Sequence, residues 1–134
     1  MNADGWIRIL RRWEWLIVVA LSITHVALAF AATRSKSIAY DELLHITGGV
    51  TAWQRHDYRL LPANGNLPQR VCGLPVVVMG CRLPPANDRA WRESYDAIVV
   101  DQFFFESGND PLTMLTAARA SSSLWSLMLC LVVW

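Results

Sequence analysis

From Trp15 to Ala32 the sequence reads WLIVVALSITHVALAFAA, an uninterrupted apolar stretch without a single charge. At 1.5 Å per residue a helix of about 18 residues reaches about 27 Å, close to the thickness of a bilayer's hydrocarbon core. A transmembrane helix over 15–32 is therefore expected, with residues 1–14 as a cytoplasmic N-terminus. The competing reading is a cleaved signal peptide, because RILRRW supplies a basic start and AFAATRS a small-residue cleavage site. The apolar run exceeds the usual signal core of about 7–15 residues, which favours a retained span.

Arg8, Arg11 and Arg12 precede the span while Arg34 and Lys36 follow it. The excess of one basic residue sets the N-terminus in the cytoplasm and the following segment, 33–110, on the periplasmic or lumenal side. A second apolar segment, LWSLMLCLVVW over 124–134, covers only about 16 Å as a helix, half of a hydrocarbon core. The chain is expected to be the front piece of a longer multi-pass protein, with the start of its second span over 111–134. A net charge of +1 offers no electrostatic footprint for nucleic acid.

The intervening loop contains no repeat and no low-complexity tract; Pro and Gly punctuate it at LPANGNLPQR, GLP and RLPPAND. In YDELLHITGGVTAWQ the spacing of Leu43, Ile46, Val50 and Trp53 predicts an amphipathic helix of about four turns. RAWRESYDAIVVDQFFFESG predicts one or two further helices, with AIVV and QFFF equally readable as strand. In NDPLTMLTAARASSSLW, Asp110 is a candidate N-cap and Pro111 suits the first helical position. The expected fold class is an all-α membrane protein: one full span, a helical extracytoplasmic loop with amphipathic juxtamembrane helices, and the beginning of a second span.

Just beyond the first span, Asp41 and His45 stand four residues apart and Glu42 and His45 three, so the three share one helical face. Gly48 and Gly49, one turn on, leave room for a substrate or another helix to approach the backbone. Two structural readings compete with a chemical one. Acidic residues in a first helical turn are favoured by the helix dipole, and Asp41 suits an N-cap; alternatively, His45 pairs with Asp41 on a solvated face. The lipid boundary beside the cluster instead suits chemistry on a lipid-borne substrate.

The order of short basic N-terminus, one span, SKSIAYDELLHITGG, DYRLLP, and SGNDPLTMLTAARA entering the next span resembles the start of a polyprenyl-phosphate-sugar-dependent glycosyltransferase. The group it resembles is the family 39-like, protein O-mannosyltransferase-like branch of the GT-C membrane glycosyltransferases, and the similarity covers nearly the whole chain. Where such relatives continue with a Pro-rich HPPL-like element, this chain has ANGNLPQR, keeping Pro68 alone. The resemblance implies an essential acidic residue at Asp41 or Glu42. It implies inverting transfer of a sugar from a polyprenyl-phosphate donor to an acceptor outside the cytoplasm, by direct displacement.

Such a displacement needs a base near the nucleophile, assigned to Asp41, with Glu42 positioning the acceptor or a bound cation. It also needs positive charge at the departing phosphate. Arg119 is the first candidate, Arg59 and Arg70 the others in the loop, and His45 completes the binding set. A divalent metal held by His45 with Asp41 or Glu42 stays open, since one His and two carboxylates do not identify a metal. Arg119 equally suits an interfacial anchor whose side chain snorkels.

Of the remaining polar residues, His25 lies in the span and is expected to hydrogen-bond a neighbouring helix, while His56 and Asp57 suit the end of the loop helix. Trp6, Trp13 and Trp15 fit an aromatic belt, and Trp53 and Trp91 fit helices lying on the membrane surface. Cys72 and Cys81 either pair or remain two unpaired thiols, and Cys130 lies in the second apolar segment. The alternative function is a small membrane-anchored interaction protein with a non-catalytic periplasmic loop.

Overall fold

The computed structural model describes residues 3–133, with side chains described for all of these except 3–12, 34, 35 and 131. The expectations resting on the side chains of Trp6, Arg8, Arg11, Arg12 and Arg34 lie outside the described residues. Among those described, every regular element is helical: α1 (Ala3–Ser35), α2 (Tyr40–Arg55), α3 (Asn66–Val78), α4 (Arg89–Glu93), α5 (Asp96–Asp101), a π-helical turn (Gln102–Glu106) and α6 (Pro111–Val133). The strand alternative for AIVV and QFFF gives way to α5 and the π-turn.

Helix α1, 33 residues long, extends nearly twice the expected span at about 50 Å, and Trp13–Thr33, 21 residues with mean hydropathy 2.2, is long and apolar enough to cross a membrane. None of the most apolar window is buried within the fold, as suits a helix whose outer surface meets lipid. Trp13 and Trp15 are more than half exposed at its lower end.

Helix α6 returns antiparallel to α1. Arg119 Nη1 donates to Thr33 O at 2.8 Å, and seven residues further down α6 Ser126 Oγ lies 2.8 Å from His25 Nε2, eight residues back along α1. His25 thus has the interhelical partner expected of a polar group in a span. The start of α6 follows from its sequence: Asp110 Oδ1 accepts from Leu112 N at 3.1 Å, its other oxygen takes the Thr113 hydroxyl, and Pro111 opens the helix. The first turns of α6 bury one face. Met114, Leu115 and Ala118 are buried with Leu43, Leu44, Ile46 and Val50 of α2, Val76 of α3, Val100 of α5 and Phe103 and Phe104 of the π-turn.

The close crossing of α2 and α3 organises this core. A Cβ on Gly49 would lie 1.9 Å from Gln69 O, and one on Gly73 would lie 2.5 Å from Gly49 C, so backbone meets backbone there. The two glycines of HITGG make room for another helix of the same chain. The buried hydroxyls of Thr47 and Thr51 turn back onto Leu43 O and Gly48 O, which satisfies them inside an apolar layer. Buried Gln69 donates to Leu61 O and Asn64 O and so fixes the loop that returns from α2 to α3.

A smaller cluster of Leu60, Ala90, Trp91 and Val99 closes the far end. Trp91 is therefore a core residue, 5% exposed, and its expected place on the membrane surface is corrected: its ring is roofed by the Arg55 guanidinium, 3.9 Å from the ring centroid.

Candidate functional site

The first turn of α2 carries the acidic cluster. Its N-cap is Ala39, whose side chain makes no capping bond, so Asp41 and Glu42 sit inside the turn and Asp41 is not the cap. Their carboxylates then have different fates. Glu42 turns toward α6 and meets Arg119 in a two-pronged pair, Nε to Oε1 at 2.6 Å and Nη2 to Oε2 at 2.7 Å. The same guanidinium donates to Thr33 O and, at 3.3 Å, to Ser37 O. One arginine thus ties together the end of α1, the linker, α2 and α6.

With side-chain exposures of 17% and 25%, this pair is partly shielded from water. Planar matching of two N–H groups to two oxygens is the geometry in which arginine pairs most strongly. A phosphate approaching Arg119 would have to displace Glu42, and the expected free phosphate ligand is instead an interhelical tie.

Asp41 is exposed, and its carboxylate receives no hydrogen bond from a described side chain. His45 lies one turn on and does not pair with it; His45 Nδ1 is buried without a partner. The expected trio is therefore divided, with Glu42 bound to Arg119, His45 turned partly inward and Asp41 facing out. No group of three or more His, Cys, Asp or Glu gathers for a metal among the described residues.

The other two expected phosphate ligands lie apart from this cluster. Arg59 holds Asp57 by a 2.7 Å ion pair and donates to Arg92 O at 3.3 Å. Arg59's hydrogen bond, with its charge, holds the Asp57 carboxyl below the ordinary range against the opposing effect of burial. His56, in the left-handed conformation at φ 53°, ends α2 as expected, and Asp57 N donates to Thr51 O just beyond it. Arg70 stacks on Trp53, 4.1 Å from the ring centroid, while Trp53 Nε1 donates to Arg70 O.

The cysteines are unbridged. Cys72 Sγ is 3.2 Å from Ser122 Oγ, and Cys81 Sγ accepts from Gln54 Nε2 at 3.6 Å. Burial pushes the Cys81 thiol up.

Beneath Arg119 the two long helices leave an apolar cleft that residue spacing did not disclose. A cavity of about 180 Å³ lies among Val26, Phe30, Thr33, Ala120, Ser123 and Leu124. It shares Val26 and Phe30 with a second cavity of about 590 Å³ that continues down α1 to Val18 beside Leu127. Lys36, in the linker just before the Arg119-bound Ser37, is exposed and has no partner among the described residues.

An exposed carboxylate, a neighbouring closed ion pair and a lysine thus surround the point where α1 leaves its apolar stretch. No family model, curated protein or solved structure matches this chain.

Proposed function

We propose that the chain supplies the membrane-boundary portion of an inverting glycosyltransferase that takes its sugar from a polyprenyl-phosphate donor outside the cytoplasm. In this reading α6 begins a second span, antiparallel to α1. The observation that carries the reading is the contrast between adjacent carboxylates: Glu42 is committed to Arg119, whereas Asp41 is left exposed at the membrane exit.

An exposed carboxylate is available to take a proton from an acceptor hydroxyl as that oxygen attacks the anomeric carbon and the lipid phosphate departs. Glu42 acts through Arg119, as a positioning residue: the pair fixes the first turn of α2 and with it the direction of Asp41. Lys36 supplies positive charge on the leaving-group side, which favours departure of the phosphate.

The test is sugar transfer from radiolabelled polyprenyl phosphates in membranes of cells expressing the full reading frame, comparing wild type with Asp41→Asn at matched abundance. Loss of transfer by about 100-fold, within the range a general base contributes, supports the reading; unchanged transfer removes it. The second reading, a membrane-anchored interaction module, draws on the same ion pair, which is closed on itself as a purely structural tie would be. Transfer that survives Asp41→Asn favours that reading.

A further inference from the structure

Helix α3 is apolar on two opposite sides. Gln69, Gly73 and Val76 are buried, Gly73 directly against the backbone of α2. Leu67, Val71, Leu74 and Val78 recur at spacings of four, three and four, which at 3.6 residues per turn sets them in one stripe on the opposite face. Leu67, Leu74 and Val78 are 59%, 45% and 78% exposed. The single charge on the helix, Arg70, turns aside onto the Trp53 ring. A helix with an apolar stripe on each side suits a protein interior or lipid rather than water.

Contacts with α6 fix the height of this helix. Arg119 Nη1 donates to the carbonyl of Thr33, the last residue of the apolar span of α1. Two and three residues further down α6, Ser121 Oγ donates to Val71 O at 2.8 Å and Ser122 Oγ lies 3.2 Å from Cys72 Sγ. The middle of α3 thus stands about 3–5 Å below Arg119, on the side of the span. Beyond α3 the chain climbs along α6, and Asn109 Oδ1 accepts from Arg82 N just before α6 begins.

The bond at Val71 is of the kind that a dry surrounding requires. The helical donor to Val71 O is missing, because Pro75, four residues on, carries no N–H. In water such a carbonyl is solvated; in hydrocarbon a side chain of a neighbouring helix must supply the donor, and serine serves in that way. Ser121 supplies it here.

We propose that α3 is seated in the leaflet at the Thr33 end of α1, with Leu67, Val71 and Leu74 turned to the acyl chains. Val78, about 9 Å above Cys72 along the helix, then stands among the head groups. The segment expected wholly outside the membrane over 33–110 re-enters it here. The inference rests on α1 crossing a membrane with Thr33 at the boundary; it requires no transfer chemistry.

The experiment uses the full chain without substitutions, in nanodiscs of phosphatidylcholine doped with a phosphatidylcholine that carries a diazirine in the upper part of one acyl chain. A parallel sample meets a charged, membrane-impermeant diazirine in the water. Labelled residues are identified by mass spectrometry. Leu67, Val71 and Leu74 are expected to take the lipid probe as heavily as Leu28, exposed on the span of α1, and to escape the aqueous one. Ala86 and Asn87, exposed in the loop before α4, should show the reverse.

A stripe labelled from water like Ala86 overturns the proposal. A stripe labelled by neither probe lies under protein, a further helix or a second copy of this chain, and overturns it as well. If Leu28 itself takes no lipid probe, α1 does not cross the membrane, and the proposed function falls together with this seat. Labelling of Leu28 with a water-labelled stripe removes the seat of α3 alone and leaves the role of Asp41 to its own test.

Discussion

Adding one methyl group at Gly49 tests the packing that the fold beyond α1 depends on. The new Cβ would fall 1.9 Å from Gln69 O and 2.6 Å from Gln69 C, against the 3.4 Å at which ordinary contact begins. The obstacle is backbone, so no rotamer change relieves it and α2 must move about 1.5 Å from α3. A gap of only 0.5–1 Å already forfeits about a quarter to a half of the dispersion attraction between facing atoms, and Val50 and Val76 are fully buried in the same core.

Overpacking costs about 1–3 kcal/mol where side chains can adjust. Gly49→Ala should therefore destabilise by about 3 kcal/mol, a fall in Tm on the order of 10 °C. The assay is thermal unfolding followed by far-UV circular dichroism in mild detergent, with Gly65→Ala as the internal reference. A Cβ at Gly65 meets only Pro68 Cδ, at 3.8 Å, and its φ of −57° suits alanine, so that variant should melt no lower than wild type. If Gly49→Ala melts with Gly65→Ala, α2 and α3 do not approach each other through backbone and the account of the HITGG glycines fails.

Three further outcomes follow from the structure. Glu42→Gln should destabilise by about 1–3 kcal/mol, below the 3–5 kcal/mol for breaking a fully buried pair because both side chains retain some water contact; Arg119→Lys should also destabilise, since an ammonium cannot match both oxygens, and equal melting of all three proteins would exclude the tie. The Asp57 carboxyl is lowered in the fold, chiefly by its hydrogen bond from Arg59, so its stabilisation is complete above the unfolded carboxyl pKa of about 3.9 and disappears as pH falls through the folded value. Arg59→Gln should accordingly flatten the dependence of Tm on pH below about pH 4, and an unchanged slope would sever Asp57 from acid stability. Cys72 and Cys81 should remain unbridged under air oxidation, read as intact-mass shifts after thiol alkylation, because Cys72 Sγ faces Ser122 of α6 while Cys81 Sγ takes the Gln54 amide of α2.

What the sequence discloses depends on how far apart the interacting residues are. The apolar run at 15–32 declares α1 because a continuous property of one segment suffices, and Asp110-Pro111 declares the start of α6 because capping is settled within a few residues. The buried positions Leu43, Ile46 and Val50 were equally legible from their spacing. The environment of Trp91 was not: on a five-residue helix, periodicity cannot distinguish a ring facing lipid from one facing Leu60, Val99 and Arg55. Nor was the division of the acidic cluster, because i,i+3 and i,i+4 spacing groups Asp41, Glu42 and His45 on one face while the partner that takes Glu42 stands 77 positions away.

That distant partner changes what the acidic pair can do. Two free carboxylates at a membrane exit would repel each other and would hold a shared proton or a cation in preference to remaining both ionised. With Glu42 neutralised by Arg119, Asp41 has no free anionic neighbour in its own helical turn, and its charge is left as the uncompensated one of the pair. Replacing Arg119 should consequently affect the proposed reaction through Asp41. Removing the guanidinium loosens the turn that aims Asp41. Arg119→Gln is therefore expected to lower transfer per folded molecule. A purely structural tie predicts a different result: less folded protein, with unchanged transfer by each molecule that folds. Measuring transfer per folded molecule separates the two, and an unchanged value would confine Arg119 to holding the helices together.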